Sequence, residues 1–170
     1  MAEAFNTKPM PTAKAERYAE LSQEIAAVLD GEANALARMA SVAAMLAQSF
    51  ETFFWTGFYL VDPERPGELV VGPYQGTLGC LRIKFGQGVC GTAAARAQTQ
   101  IVPDVEAFPG HIACDARSRS EIVVPVFGRG RRLLGVLDVD SAELGAFDEI
   151  DGLWLERILE QVFGEATTLP

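Results

Sequence analysis

Residues 72–125 read GPYQGTLGCLRIKFGQGVCGTAAARAQTQIVPDVEAFPGHIACDARSRSEIVVP. This loop-rich part of the chain holds all three cysteines, Cys80, Cys90 and Cys114, together with the single histidine, His111, and a dense run of glycines. A fold seldom collects every thiol in one such stretch by accident. We therefore interpret residues 72–125 as the working part of the protein and the rest of the chain as the scaffold that holds it.

The composition indicates one globular domain with a hydrophobic core. The chain has 170 residues, of which 49% are apolar and 22% are charged, as in ordinary soluble proteins. Its formal net charge of −9 disfavours nucleic acid and anionic membranes as partners. The N-terminal sequence lacks the apolar core of a secretory signal, and no apolar run is long enough for a membrane helix. We therefore expect a cytoplasmic protein with reduced thiols.

The cysteine spacing, C-x9-C-x23-C, excludes the usual structural zinc arrangements. It contains no paired C-x2-C unit, and only one histidine is present as a further ligand. An odd number of cysteines also disfavours a purely structural disulfide framework. Buried structural thiols and thiol redox chemistry are the two interpretations left open.

Hydrophobic periodicity predicts an α+β fold with one domain over residues 15–165 and a flexible lead-in over residues 1–14. The predicted helices cover residues 15–29, 32–48, 92–97 and 148–163, and the predicted strands cover 53–61, 68–71, 81–83, 101–102, 121–127 and 133–140. The inward face of the last helix is expected to hold Ile150, Leu153, Trp154, Ile158 and Val162. Because the strands lie in the middle of the chain, we expect an antiparallel central sheet with the N- and C-terminal helices packed on one face.

The residues around each cysteine allow both a reactive and an inert interpretation. Basic neighbours of Cys114 would lower the pKa of its thiol, whereas Asp115 and Glu121 would raise it. Cys90 lies at a predicted helix N-terminus, which also lowers a thiol pKa, although a small residue at a close helix–sheet contact is an equally ordinary interpretation. Cys80 follows a glycine and is expected to move as a resolving thiol must. The grouping of all three favours redox chemistry.

Two acids stand out in a predicted strand. Asp138 and Asp140 are two residues apart, so their side chains point to the same face. Strand interiors disfavour aspartate, and paired acids would hold a proton at neutral pH or bind an ammonium group. The alternative is that the strand ends here and both acids are solvated. Glu121 opens the neighbouring predicted strand and is expected either to join these acids or to be a solvated edge charge.

Trp55 and Tyr59 also share one face of a strand. They are expected to wall an apolar pocket, or else to belong to the core. His111 alone does not make a nucleophile–base pair and is interpreted as a loop or structural histidine. Residues 85–91 are rich in glycine but lack the Gly-Lys-Ser/Thr ending of a phosphate-binding loop.

Through these residues the chain closely resembles the free methionine-(R)-sulfoxide reductases, which are single-domain proteins with the GAF fold. The resemblance extends from about Ala15 to Val162. The motifs that carry it are Trp55–Leu60 (WTGFYL), Gly72–Gly76 (GPYQG), Phe85–Ala95 (FGQGVCGTAAA), Gln98–Gln100 (QTQ), Asp104–Val105, Phe108–Asp115 (FPGHIACD), Ser118–Pro125 (SRSEIVVP) and Gly135–Ser141 (GVLDVDS).

The resemblance implies reduction of the R epimer of free methionine sulfoxide to methionine, through a cysteine sulfenic acid and an intramolecular disulfide. It implies Cys114 as the nucleophile, Cys80 as the resolving thiol and Cys90 as an auxiliary or alternative resolving thiol. The residues expected to bind the substrate or to donate a proton are Glu121, Asp138, Asp140, Trp55 and Tyr59. Thioredoxin is the implied reductant, a homodimer is expected, and neither a metal nor an organic cofactor is needed.

Two other functions stay open at this point. Many GAF domains bind small molecules without catalysis, so the chain would then be a ligand sensor. Alternatively, a thiol redox sensor would form the same disulfide and turn over no substrate. Turnover with dithiothreitol distinguishes the enzyme from both.

Overall fold

The computed structural model describes residues 14–168 and has the expected α+β architecture. The flexible lead-in predicted for the first residues lies outside this range, apart from Lys14. The helices are α1 (Lys14–Val28), α2 (Ala35–Ser49), α3 (Gly88–Arg96) and α4 (Glu149–Phe163). The strands are β1 (Trp55–Val61), β2 (Glu68–Gln75), β3 (Arg82–Lys84), β4 (Gln100–Val102), β5 (Ser120–Phe127) and β6 (Leu133–Ser141).

The six strands form one antiparallel sheet in the order β3-β2-β1-β6-β5-β4. Its centre is the pairing of β1 with β6, which joins the first strand of the chain to the last. On either side of this pair the strands follow as hairpins, β1 with β2 and β5 with β6. The two loops between β2 and β3 and between β4 and β5 therefore belong to opposite wings of the sheet, and they meet over one of its faces at the site described below.

One face of the sheet carries the main hydrophobic core beneath α1, α2 and α4. Leu21 of α1, Met39 of α2 and Ile158 of α4 are fully buried there, against sheet residues that include Phe58 and Leu137. Asn34 is the N-cap residue of α2, and its side-chain oxygen accepts a hydrogen bond from the backbone N–H of Ala37. The predicted packing of the N- and C-terminal helices on one face is confirmed.

The inward stripe of α4 differs from the prediction. Ile150 and Leu153 are 41% and 47% exposed, so their predicted inward positions were wrong. The buried residues of this helix are Asp151, Gly152, Leu155, Ile158, Leu159, Val162 and Phe163. The physical reason is that Asp151 takes the inward position at the start of the helix, where its carboxylate accepts hydrogen bonds from the Tyr18 hydroxyl at 2.7 Å and from Lys14 at 2.6 Å. A satisfied polar group therefore replaces the apolar one that periodicity predicts.

The opposite face of the sheet is covered by α3 and carries a smaller core that includes Val89, Ala93 and Val136. α3 begins at Gly88, four residues before the predicted start. Gly91 in this helix allows close packing against the chain before it. A Cβ atom at this position would clash with the backbone oxygen of Lys84. Over residues 14–168, no helix is both long and apolar enough to cross a membrane.

Candidate active site

Sheet register brings the acids and the tryptophan together on the α3 face. Asp140 on the central strand β6 lies opposite Trp55 of β1 on one side and opposite Glu121 of β5 on the other. Directly paired residues in an antiparallel sheet point to the same face, so these three form one row across three strands. Asp138, two residues back along β6, lies opposite Gly57 and adds a second acid beside the row.

The acids of this row are buried and face one another. Glu121 and Asp138 are only 5% and 6% exposed, so both solvated alternatives were wrong. Burial, followed by the charge of Asp140, raises the pKa of Glu121 and of Asp138 well above the ordinary carboxyl range. Burial also raises the pKa of Asp140, to about 6, although the Ser118 hydroxyl donates a hydrogen bond of 2.5 Å to this carboxylate and favours its ionised form. Burial therefore favours the protonated forms of Glu121 and Asp138, whereas Asp140, with a pKa of about 6, is the acid most readily ionised at neutral pH.

An aromatic wall stands next to the acids. Trp55 stacks with both Tyr59 and Tyr74, at ring-centroid distances of 5.8 and 5.1 Å. Gly57 makes this stack possible, because a Cβ atom there would lie 2.8 Å from the Trp55 ring and still closer to Cβ of Tyr74. Gly79 likewise allows the β2–β3 loop to approach the indole, since a Cβ atom there would lie 2.9 Å from the Trp55 ring. The wall therefore depends on two glycines, Gly57 and Gly79, that leave room for the tryptophan.

Cys90 lies in the first turn of α3 and closes the floor of the site. Its Sγ atom is 3.9 Å from Oε1 of Glu121, and the residue is 3% exposed. Burial, and then the charges of Asp138 and Glu121, raise the pKa of the Cys90 thiol well above its ordinary value. The expected lowering by the helix N-terminus is thus outweighed by desolvation and acidic neighbours.

Cys80 and Cys114 form a disulfide across the entrance, with Cα atoms 5.5 Å apart. Cys80 lies in the β2–β3 loop, residues 76–81, and Cys114 lies in the β4–β5 loop, residues 103–119. Cys114 is exposed and Cys80 is partly buried. The pair thus joins the two loops that approach the α3 face from opposite wings of the sheet.

The loops, α3 and the sheet enclose a narrow cavity of about 30 Å³ with the disulfide in place. Oδ1 of Asp138 is buried there without a hydrogen-bond partner among the described residues. Donor atoms of Cys90, Glu121 and Asp138 lie within 4.8 Å of one another, a spacing compatible with a cation. We assign them no metal, because a buried thiol among acids serves equally to hold a proton or an ammonium group.

All eight residues singled out from the sequence as site residues come together at this cavity or its disulfide. His111, interpreted as a loop or structural histidine, also lines the cavity, with Nε2 at 3.5 Å from Oε2 of Glu121. Sequence reasoning missed Ser118 and Tyr74. Tyr74 is the only aromatic residue of the segment GPYQG, residues 72–76, so no local pattern singled it out. Ser118 carries no pattern in the sequence either, because only the loop fold brings it to Asp140.

Comparison with known proteins identifies the family to which this chain belongs. The GAF domain family matches residues 33–162. The chain is 53% identical to GAF domain-containing protein A of Dictyostelium discoideum over 86% of this chain and 90% of that protein. It is 44% identical to the free methionine-R-sulfoxide reductase of Escherichia coli over 88% of each chain.

Among solved structures, a free methionine-R-sulfoxide reductase from Neisseria meningitidis, in complex with its substrate, superimposes with a TM-score of 0.85 at 48% identity, covering 92% of this chain and 93% of that one. The likeness therefore includes the whole domain and is not confined to the cysteine motifs. The chain belongs to the GAF domain family and, within it, to the free methionine-R-sulfoxide reductases, a family of enzymes.

Proposed function

We propose that this protein reduces the R epimer of free methionine sulfoxide to methionine at the expense of thiols. The observation that carries the proposal is the Cys80–Cys114 disulfide at the entrance of a cavity floored by Glu121, Asp138 and Asp140. Sulfoxide reduction by a thiol needs a nucleophilic sulfur and a proton donor close together. The entrance of the cavity supplies the cysteine sulfur, and its floor supplies the acids.

In the proposed first step, the thiolate of Cys114 attacks the electrophilic sulfur of the sulfoxide. The sulfoxide oxygen takes up a proton, the S–O bond of the substrate breaks, and the oxygen ends on the sulfur of Cys114. The products are methionine and a Cys114 sulfenic acid, so one thiol and one sulfoxide give one thioether and one sulfenic acid. Glu121 or Asp138 donates the proton, because burial raises the pKa of both acids and so favours their protonated forms.

The substrate is held by its two ends. Trp55 and Tyr59 face the methyl–sulfur end, since their rings are the aromatic part of the cavity's apolar lining. Asp140 binds the ammonium group, because it has the least raised pKa of the three acids and is largely ionised at neutral pH. The unpartnered Oδ1 of Asp138 is available to the same group. Burial of a free ammonium group in this way would exclude methionine sulfoxide within a peptide chain.

In the second step, the thiol of Cys80 attacks the Cys114 sulfenic acid. A sulfur–sulfur bond forms, the sulfur–oxygen bond breaks and water leaves. Cys90 keeps the auxiliary role predicted for it. Its raised thiol pKa and its burial make it a poor first partner for the entrance disulfide, so we assign the main resolving step to Cys80.

A protein dithiol of the thioredoxin type is the proposed reductant of the disulfide, which places the reaction in a reducing compartment such as the cytoplasm. Exposure of Cys114 and of the leucines beside Cys80, with Leu78 77% and Leu81 69% exposed, supports access by such a partner. The homodimer expected from the resemblance stays a prediction, which analytical ultracentrifugation would test.

The test is methionine release from separated R and S epimers of free methionine sulfoxide, with dithiothreitol as reductant. Release from the R epimer alone is the expected result. A Cys80–Cys114 disulfide that forms under peroxide without methionine release from either epimer would instead support the redox-sensor function. Ligand binding without release or disulfide chemistry would support a sensor of the GAF type.

A further inference from the structure

A polar bridge crosses between the same two loops as the disulfide. The hydroxyl of Thr77, in the β2–β3 loop, donates a hydrogen bond of 2.7 Å to Oδ2 of Asp115 in the β4–β5 loop. Thr77 lies three residues before Cys80, and Asp115 directly follows Cys114. The bridge and the disulfide therefore connect the loops side by side.

Asp115, the acceptor of this hydrogen bond, is oriented by Arg117 of the same loop. Arg117 donates to Asp115 through its backbone N–H at 2.9 Å, through Nε at 3.1 Å and through Nη2 at 2.8 Å. These contacts lower the pKa of Asp115, and the Arg117 guanidinium itself lies 5.3 Å from the centre of the Phe54 ring. Asp115 thus presents an oriented, ionised carboxylate to Thr77.

Thr77, the donor of this hydrogen bond, is bound in turn by Trp55 of β1. The backbone oxygen of Thr77 accepts a hydrogen bond of 2.8 Å from Nε1 of Trp55. Thr77 consequently joins the aromatic wall of the cavity to the loop that carries Cys114. Its hydroxyl is the part of this connection that a substitution can remove without touching the backbone contact to Trp55.

We propose that Thr77 and Asp115 are positioning residues that keep the Cys80 loop against the Cys114 loop while the cysteines are not bonded to each other. The proposal rests on the reaction proposed above and concerns its second step, in which Cys80 displaces water from the Cys114 sulfenic acid. A bridge beside the two sulfur atoms raises the effective concentration of one for the other. Disulfide formation is thereby faster and the disulfide more stable.

The direction of the expected change in reduction potential depends on how ordered the two loops are in the disulfide and in the dithiol form. In the disulfide form the loops are already tethered, so the bridge forms with little further loss of freedom. In the dithiol form the same bridge must order both loops, and it is populated less. Removing it therefore destabilises the disulfide more than the dithiol. We expect a three- to tenfold shift of the exchange equilibrium toward the dithiol, equal to a rise of the reduction potential by about 15 to 30 mV.

The test is Thr77→Val, equilibrated in graded dithiothreitol redox buffers and assayed for free thiols. The matched control is Thr99→Val, which also removes a hydroxyl that donates to a carboxylate, Glu156, but at a site outside the cavity and the two loops. The second measurement is trapping of the sulfenic acid with dimedone after one addition of substrate or peroxide. Thr77→Val should raise the potential and increase trapping, while Thr99→Val should match the wild type in both.

Equal potentials and equal trapping in Thr77→Val and Thr99→Val would overturn the proposal. If Thr77→Val does not fold, Asp115→Asn removes the charge of the acceptor and is measured in the same way. The potential is determined without methionine sulfoxide, so failure of the bridge is distinguishable from failure of the reductase function. A chain that releases methionine at an unchanged potential would refute only the bridge.

Discussion

Asp140→Asn should stabilise the folded protein at pH 8 and weaken its substrate site. In the fold, burial raises the pKa of this carboxyl from 3.8 to about 6. A pKa difference of one between the folded and unfolded chain corresponds to about 1.4 kcal/mol, so the ionised side chain costs up to about 3 kcal/mol of folding free energy above pH 6. Asparagine carries no charge and keeps an oxygen that accepts the hydrogen bond from Ser118. The variant should regain most of that cost.

The pH dependence has a definite sign. Below pH 4 the carboxyl of Asp140 is protonated in both the folded and the unfolded chain, and it contributes no difference in stability. Between pH 4 and pH 6 the unfolded chain ionises first, so the wild type loses stability as the pH rises. The stability gain of Asp140→Asn should therefore grow through this window and stay constant above it.

Urea unfolding followed by tryptophan fluorescence, at several pH values and in one redox state, measures the gain. Asp62→Asn is the control of opposite sign, because the hydrogen bond from Arg82 lowers the pKa of Asp62 and its removal should destabilise the fold. In steady-state kinetics Asp140→Asn should raise the KM for methionine sulfoxide by about tenfold or more, as expected when a hydrogen bond to a charged group is lost. Unchanged stability at pH 8, or a gain confined to acidic pH, would refute the burial argument.

Three further outcomes are expected. Cys114→Ser should abolish methionine formation, whereas Cys80→Ser should still form about one methionine per enzyme in a rapid-quench experiment; repeated turnover by Cys114→Ser would contradict the nucleophile assignment. Ser118→Ala removes a hydrogen bond to the ionised form of Asp140, so the acidic limb of the kcat/KM profile should move to higher pH, and a profile identical to the wild type would exclude that contact as a determinant. Leu81→Ser should raise the KM for thioredoxin and leave the rate with dithiothreitol unchanged, since this exposed leucine flanks Cys80 but does not line the cavity; an equal loss with both reductants would argue against a docking role.

The acidic site could be predicted from the sequence only in part. The spacing of Asp138 and Asp140 places both on one face of a strand by simple alternation. Their neighbour Glu121 is different, because its position opposite Asp140 depends on the register between β5 and β6. Local sequence did not determine whether that glutamate would be solvated or buried.

Other features depended on packing between distant segments. The helical position of Cys90 predicts a lowered thiol pKa, but the acids of the sheet and the burial under α3 reverse the direction. His111 has no informative neighbours in sequence and comes to 3.5 Å from Glu121 through the fold of the β4–β5 loop. The overall fold was easier to predict, since its helices and strands follow from periodicity over many residues, whereas a site depends on a few exact placements.

The proposed nucleophile, Cys114, and the proposed proton donors, Glu121 and Asp138, lie in different environments. Burial between the sheet and α3 raises the pKa of Glu121 and of Asp138 and favours their protonated forms. The same burial disfavours a thiolate, as the raised pKa of Cys90 shows. A nucleophilic cysteine within that floor would therefore be protonated along with the acids. Cys114 lies on an exposed loop at the entrance and escapes this desolvation, so the substrate sulfur can meet an ionisable thiol on one side and a retained proton on the other.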